Sequence, residues 1–166
     1  MSENLKNNIS SNTDLETQLN NKLSPIYSYS KTFKSFKGVI RDLEPDIFAL
    51  REILNIDEDT FHNLVIIITE GFNNAVKHGN NYISDKDVNV DIFVYQQYKN
   101  GFLIEIEIHD QGDGYDIQQV VDPRLPENIL KSGGRGVFLI KELSKFVDYQ
   151  KVENGNKLVV QFEYFK

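Results

Sequence analysis

Cysteine is absent, and with it disulfides, thiolate metal sites and cysteine nucleophiles. Positive charge is scarce: 18 Lys and Arg stand against 25 Asp and Glu, a net charge of -7 over 166 residues. That deficit argues against direct binding of nucleic acid, whose phosphate backbone asks for a basic surface. It leaves room for one anionic ligand held by backbone amides and a cation. No apolar run reaches the roughly 18 residues that would span a bilayer. The first residues, Met1 to Lys6, lack the apolar stretch of a secretory signal. These absences predict a soluble cytoplasmic protein with no membrane partner.

What is present is sufficient for a folded core: 40% of residues are hydrophobic and 11% aromatic. The length is that of about one domain. Residues 1–24 are rich in Asn and Ser and poor in aromatics. Such a segment buries too little apolar area to offset its ordering entropy. We expect a flexible tail over 1–24, with a frayed helix at Asp14–Leu23, and a single domain over 25–166. Alternating Tyr27, Tyr29 and Phe33 predict a strand from Ile26 to Phe36. Lys37–Leu54 carries apolar residues, Ile53 among them, at helical spacing, with Pro45 as an expected break. Asn55 or Asp57 is placed to cap a second helix, which runs to about His78 and is closed by Gly79 at a C-cap.

Alternation then predicts strands at Val88–Tyr98, Phe102–His109, Val147–Val152 and Lys157–Phe165, with hairpin signals at Asn100-Gly101 and Asn154-Gly155. Between them, Tyr115–Lys131 reads as a long loop and Gly134–Phe146 as a helix. Helices and strands are segregated, so the fold class is α+β. The architecture expected is a two-layer sandwich, a mostly antiparallel mixed sheet covered on one face by helices.

Three segments carry polar groups in patterns that suit chemistry. The first ends the second helix. At about 100° per residue, Glu70, Asn73, Asn74, Lys77 and His78 share an arc of about 140°. Phe61, Leu64, Val65, Ile68, Phe72, Ala75 and Val76 lie opposite. Glu70 and Asn74 are adjacent at i and i+4. Their oxygens suit a hard cation such as Mg²⁺, which takes few protein ligands and completes its shell with water and phosphate. The same pattern is also that of any solvated helix face.

The second segment is Asp110-x-Gly112-x-Gly114, directly after a strand. The carboxylate is placed to accept from an exocyclic amine such as that of adenine, and the glycines admit a flat ligand close to the backbone. Asp and Gly are equally the common residues of a plain turn. An EF-hand is excluded, because no Glu stands twelfth. The third segment is Gly133-Gly134-Arg135-Gly136-Val137, glycines that open a helix. Free amides there favour phosphate, and Arg135 adds charge. It is neither a P-loop, since no Gly-Lys-Ser/Thr follows, nor a Rossmann turn.

In order and spacing these segments resemble the GHKL ATPase superfamily, the gyrase, Hsp90, histidine kinase and MutL type, whose fold is the Bergerat fold. Glu70-x-x-x-Asn74-Ala75-x-x-His78-Gly79 is similar to its N box. Asp110-x-Gly112-x-Gly114 is similar to its first glycine box, and Gly134-Arg135-Gly136 to its second. The resemblance covers roughly residues 30–165. The Asn-Ala-x-x-His-Gly form is most similar to the anti-sigma factor serine/threonine-protein kinases.

The resemblance implies ATP and Mg²⁺ as cofactors. It implies Glu70 as catalytic base and Asn74 as metal ligand. Asp110 would read adenine, with Gly112 and Gly114 shaping its wall. Tyr115–Gly134 would be a lid, and the amides from Gly133 to Val137 a phosphate cradle. Asn73, Lys77 and Arg135 would complete the nucleotide site. It further implies a kinase that phosphorylates a STAS-type anti-anti-sigma partner and, as a homodimer, sequesters a sigma factor. Two other activities fit the same residues: a non-catalytic nucleotide-dependent binding module, and an ATPase without a protein acceptor. One departure is visible. Where many members place Thr before the last strand, this chain has Asn156-Lys157.

Overall fold

Strand-forming residues of this chain alternate so regularly that the sheet's two faces can be assigned one residue at a time. The computed structural model describes residues 24–97, 100–114 and 134–166. The expected tail, its frayed helix, Gly133 and nearly all of the expected lid lie outside them. The strands are β1 (Tyr27–Lys34), β2 (Asp87–Gln96), β3 (Gly101–Asp110), β4 (Phe146–Val152) and β5 (Gly155–Phe165). They form one five-stranded sheet in the order β1-β2-β3-β5-β4. Every neighbouring pair is antiparallel, so the expected mixed sheet is corrected to a wholly antiparallel one among the described residues. Its neighbours pair around short connections or across the helix layer, and none requires a parallel crossover.

Register aligns the β-branched residues in rows. Ile92 faces Ile106, which faces Val160; Val90 faces Ile108, which faces Leu158. All of these are buried, most of them at 0% exposure. The other face carries Asp91, Glu105, Glu107, Lys157 and Gln161. There Lys157 Nζ pairs with Glu107 at 3.0 Å and Gln161 Nε2 donates to Glu105 at 2.7 Å. One face therefore seeks an apolar cover and the other does not.

Among the described residues three helices supply that cover: α1 (Ile40–Leu54), α2 (Glu58–Asn74) and α3 (Arg135–Leu143). Helix α1 buries Leu43, Ile47, Leu50 and Leu54. Pro45 lies inside it and does not break it. The proline is on the exposed side, where water can donate to the carbonyl four residues earlier that loses its N–H donor. Ile53, counted by spacing among the apolar residues, is 55% exposed. Asp57 caps α2 by accepting from Thr60 N at 2.9 Å, and Glu58 and Asp59 complement the positive end of the helix. The α2 core face is Phe61, Leu64, Ile67, Ile68 and Phe72. Phe72 meets Phe33 of β1 edge-on, with ring centroids 5.2 Å apart.

Gly71 brings α2 close to the sheet. A Cβ there would stand 2.8 Å from Ile108 Cδ1 and 3.0 Å from Leu158 Cδ2. The end of α2 is thereby lowered onto the end of β3, where the first two candidate segments meet. Helix α3 is shorter than the spacing predicts. Leu143 ends it, and Phe146 is instead the first residue of β4, 47% exposed.

Candidate nucleotide site

Glu70 and Asn74 lie one turn apart on α2, both half-buried. The side-chain Nδ2 of Asn74 is buried with no hydrogen-bond partner among the described residues. An orphaned buried donor is costly, and a phosphate oxygen would satisfy it while the amide oxygen faces a cation. Asn73, Lys77 and His78 are exposed. Burial, and then the charge of Lys77, hold the His78 imidazole below its ordinary pKa.

The helix does not stay α-helical to His78. It widens into a single π-turn, Ala75–Gly79, closed by Asn80 N donating to Ala75 O at 2.8 Å. The extra residue in the turn directs Asn80 inward, at 0% exposure. There its Oδ1 accepts from Gln111 N at 2.8 Å and its Nδ2 donates to Asp87 O at 2.8 Å. Gln111 returns the contact, its Oε1 accepting from Asp87 N at 2.7 Å. One amide thus ties the end of α2 to the end of β3 and the start of β2.

Gly79 is not the left-handed C-cap that the sequence predicts, since its φ is not positive. Glycine is required there for space. A Cβ would stand 2.6 Å from each carboxylate oxygen of Asp110. Gly112 packs equally close on Gly79, and a Cβ there would stand 2.8 Å from Gly79 Cα. The end of the helix at Gly79 and the glycine turn at Gly112 pack backbone against backbone.

Asp110, the last residue of β3, is 2% exposed. Its Oδ1 accepts from Gly112 N at 2.8 Å and from Asn156 Nδ2 at 3.0 Å. Asn156 Nδ2 also donates to Gly112 O at 3.0 Å. Gly114, in the left-handed region at φ 89, lies over Asn156: a Cβ would stand 2.5 Å from its Oδ1. Asp113 O accepts from Lys151 Nζ at 3.0 Å. Asn80, Gln111 and Asn156 are site-building residues that no periodicity marks. Only Asn156 has a signal in the sequence, as an amide in place of a threonine.

The third segment completes the arrangement. Gly134, at φ 87, is the N-cap of α3 and offers no side-chain acceptor. Phe138 N donates to Gly134 O at 3.1 Å, so the N–H groups of Gly136 and Val137 stand ahead of the first intrahelical bond of α3. Val137 points into the core at 4% exposure, and Arg135 is exposed. Gly136 lies against Glu70, where a Cβ would stand 3.1 Å from the carboxylate carbon. Segments distant in the chain therefore converge: Glu70 meets Gly136, Gly79 meets Asp110, and Asp110 meets Asn156. The side chains of Asn73 and Lys77 make no hydrogen bond or ion pair among the described residues. Those residues also hold no cluster of His, Asp and Glu able to bind a metal alone. A cation at Asn74 would need water and phosphate for the rest of its shell, as Mg²⁺ takes them.

An antiparallel sheet covered on one face, with its polar groups gathered where a helix end meets a glycine turn, defines a class that comparison with known proteins identifies. A family model described as the histidine kinase-like ATPase domain matches residues 46–162. The chain belongs to that family. It is similar to the serine-protein kinase RsbW of Oceanobacillus iheyensis, 28% identical over 102 residues. That alignment covers 58% of this chain and 60% of the relative, so the match spans less than two thirds of the relative's own length. No helix among the described residues is long and apolar enough to cross a membrane.

Proposed function

We propose that this chain is an ATP-dependent serine/threonine-protein kinase and anti-sigma factor. It phosphorylates a small STAS-type anti-anti-sigma protein and, as a cytoplasmic homodimer, sequesters a sigma factor. The observation that supports this reading best is the contact between Glu70 and the amide-rich start of α3 at Gly136. A site that only bound nucleotide would need the amides and Asp110, but no carboxylate beside the phosphates.

In this reading the N–H groups of Arg135, Gly136 and Val137 hold the phosphates, and the exposed Arg135 and Lys77 lend positive charge. Gly134 and Asn73 border the same anion. Asn74 holds Mg²⁺, which neutralises the phosphate oxygens. Asp110 accepts from the exocyclic amine of adenine against the wall made by Gly112 and Gly114. The substrate hydroxyl attacks the terminal phosphorus in line, the bond to ADP breaks, and Glu70 takes the hydroxyl proton. Phosphoryl transfer asks for this positioning and charge neutralisation more than for covalent help.

The test is transfer of labelled phosphate from ATP to the cognate acceptor, beside calorimetry of Mg·ATP. Glu70→Ala should retain ATP affinity and lose transfer. Unchanged transfer would remove Glu70 from the mechanism. Phosphate release to water without acceptor labelling would favour a plain ATPase, and binding without either would favour a regulatory module.

A further inference from the structure

Asn154-Gly155 turns β4 into β5, and the same dipeptide carries a reactive amide. We propose that Asn154 is a modification site: it deamidates by attack of the Gly155 backbone nitrogen, and the isoaspartate so formed loosens the β4–β5 hairpin where it packs on the end of β3.

The step needs no co-reactant but water. The Gly155 nitrogen bonds to the side-chain carbonyl carbon of Asn154. The bond from that carbon to Nδ2 breaks, and ammonia leaves with the proton that the glycine nitrogen gives up. A five-membered succinimide results. Water then opens it at one carbonyl or the other, to aspartate or to isoaspartate. In isoaspartate the main chain runs through the side chain and is one methylene longer. Nothing is oxidised or reduced, and one negative charge is added.

Three observations favour position 154. Gly155 has no side chain to shield its nitrogen. Asn154 is exposed, and its side-chain amide makes no hydrogen bond among the described residues. Strand β4 is an edge strand, so β5 alone supports the turn, and no backbone bond from outside the hairpin reaches Glu153 or Asn154 among the described residues. The end of an edge hairpin opens locally more readily than the central strands, and opening lets the nitrogen reach the carbonyl carbon. The pair Asn100-Gly101 is better held: Asn100 O accepts from Lys166 N at 2.9 Å, and Gly101 O accepts from Gln97 N at 2.8 Å. Asn156, two residues on, spends both amide hydrogens inside the fold and is followed by lysine.

The consequence follows from Gly155. At φ 134 it lies against the β3 terminus, where a Cβ would stand 2.8 Å from both the carbonyl carbon of Asp110 and the Cα of Gln111. Backbone packed this closely has no slack for another methylene just upstream. Asn154 itself is not in the left-handed region, so the turn does not demand asparagine, and aspartate or glutamine can take its place.

The experiment ages the full chain in mildly alkaline buffer and reads it by peptide mapping with mass spectrometry, by isoaspartyl methyltransferase labelling and by urea denaturation. Asn154→Gln is aged beside it, and Asn154→Asp is measured fresh. The wild type should lose its unmodified Asn154 peptide faster than its unmodified Asn100 peptide. It should gain methyltransferase label at 154 and shift to a lower urea midpoint as it ages. Asn154→Gln, whose longer side chain would have to close a six-membered ring, should keep its mass and its midpoint. Fresh Asn154→Asp should match the fresh wild type, because it carries the added charge without the added methylene. An Asn154 peptide that stays intact in the folded chain, while the same chain converts in urea, would overturn the site. Label at 154 with an unchanged midpoint would overturn the effect on the hairpin. So would a fresh Asn154→Asp protein as unstable as the aged chain, since charge alone would then account for the loss.

Discussion

Gly136, in the first turn of α3, lies against the Glu70 carboxylate of α2, so that a Cβ at 136 would stand 3.1 Å from the carboxylate carbon and crowd Oε2. The obstructed group is the end of a flexible side chain, so Gly136→Ala should fold. Alanine also favours a helix over glycine by about 1 kcal/mol. Glu70, however, must move. A displacement of about an ångström costs roughly a hundredfold in a positioned reaction. Under the proposed function, Gly136→Ala should therefore keep its N–H, its nucleotide affinity and its stability, yet slow single-turnover phosphoryl transfer by about a hundredfold. Full transfer in this variant would mean that Glu70 is not held by that contact.

Gly79 gives the opposite outcome for the same kind of change. The Asp110 carboxylate that a Cβ would strike is held by Gly112 N and Asn156 and is not free to swing away. Gly79→Ala should cost about 1–3 kcal/mol, the range of overpacked cores. Under the proposed function it should also weaken adenine nucleotides, because Asp110 would be displaced. Urea denaturation and calorimetry check the two effects separately. Wild-type stability would show that the helix end and the glycine turn can part without penalty.

Much of this was legible in the sequence because each pattern had one dominant cause. Burial on one face forced the alternation of Val88, Val90, Ile92 and Val94, and that alternation marked the strand. Asp57 declared the α2 start because few residues satisfy a free amide there. The motifs pointed to Glu70, Asp110 and Gly136 as neighbours, and the fold brings Glu70 to Gly136 and Asp110 to Gly79. Pro45 misled because its effect depends on which side faces water, which spacing alone does not reveal. The π-turn was hidden because the residue it turns inward, Asn80, is held by partners at the start of β2 and just past β3. Gly79 suggests a helix C-cap from the sequence alone, whereas its neighbour across space, Asp110, is the reason for glycine.

The edge-on pair of Phe72 and Phe33 joins α2 to β1, and Phe72 is fully buried. Removing its ring leaves a cavity that flanking residues fill only in part. Phe72→Ala should lose about 3–5 kcal/mol, a large share of the stability of a domain of this size. Chemical denaturation checks it, and a loss below about 1 kcal/mol would mean that α2 can resettle on the sheet.

Asn81 and Tyr82 are both in the left-handed region, at φ 53 and 57. Asparagine tolerates it, but a residue with the bulk of tyrosine does not. Tyr82 is 42% exposed, so its ring buries little that would be lost. Its N–H donates to Val76 O at 2.9 Å, a bond that any residue but proline keeps. Tyr82→Asn should therefore raise stability by about 0.5–1 kcal/mol, read as a higher urea midpoint at constant slope. A lower midpoint would show that the exposed ring makes a contact worth more than the strain.

His78 sets a pH dependence whose sign follows from its surroundings. Burial, and then Lys77, lower its pKa from the ordinary 6.5, so the folded chain binds its proton less readily than the unfolded chain. Above pH 6.5 the imidazole is neutral in both states and its share of stability is fully present. As pH falls below that value the unfolded chain gains the proton first, and stability declines until the folded-state pKa is passed. His78→Gln should remove this slope, so denaturation curves for the two proteins should converge above pH 7 and separate below pH 6. An imidazole titration followed by NMR gives the second check. Under the proposed function, a triphosphate held by α3 and the end of α2 favours the protonated ring, so nucleotide should move the His78 titration upward. An imidazole whose titration ignores both pH-linked stability and nucleotide would place His78 outside the field of the site.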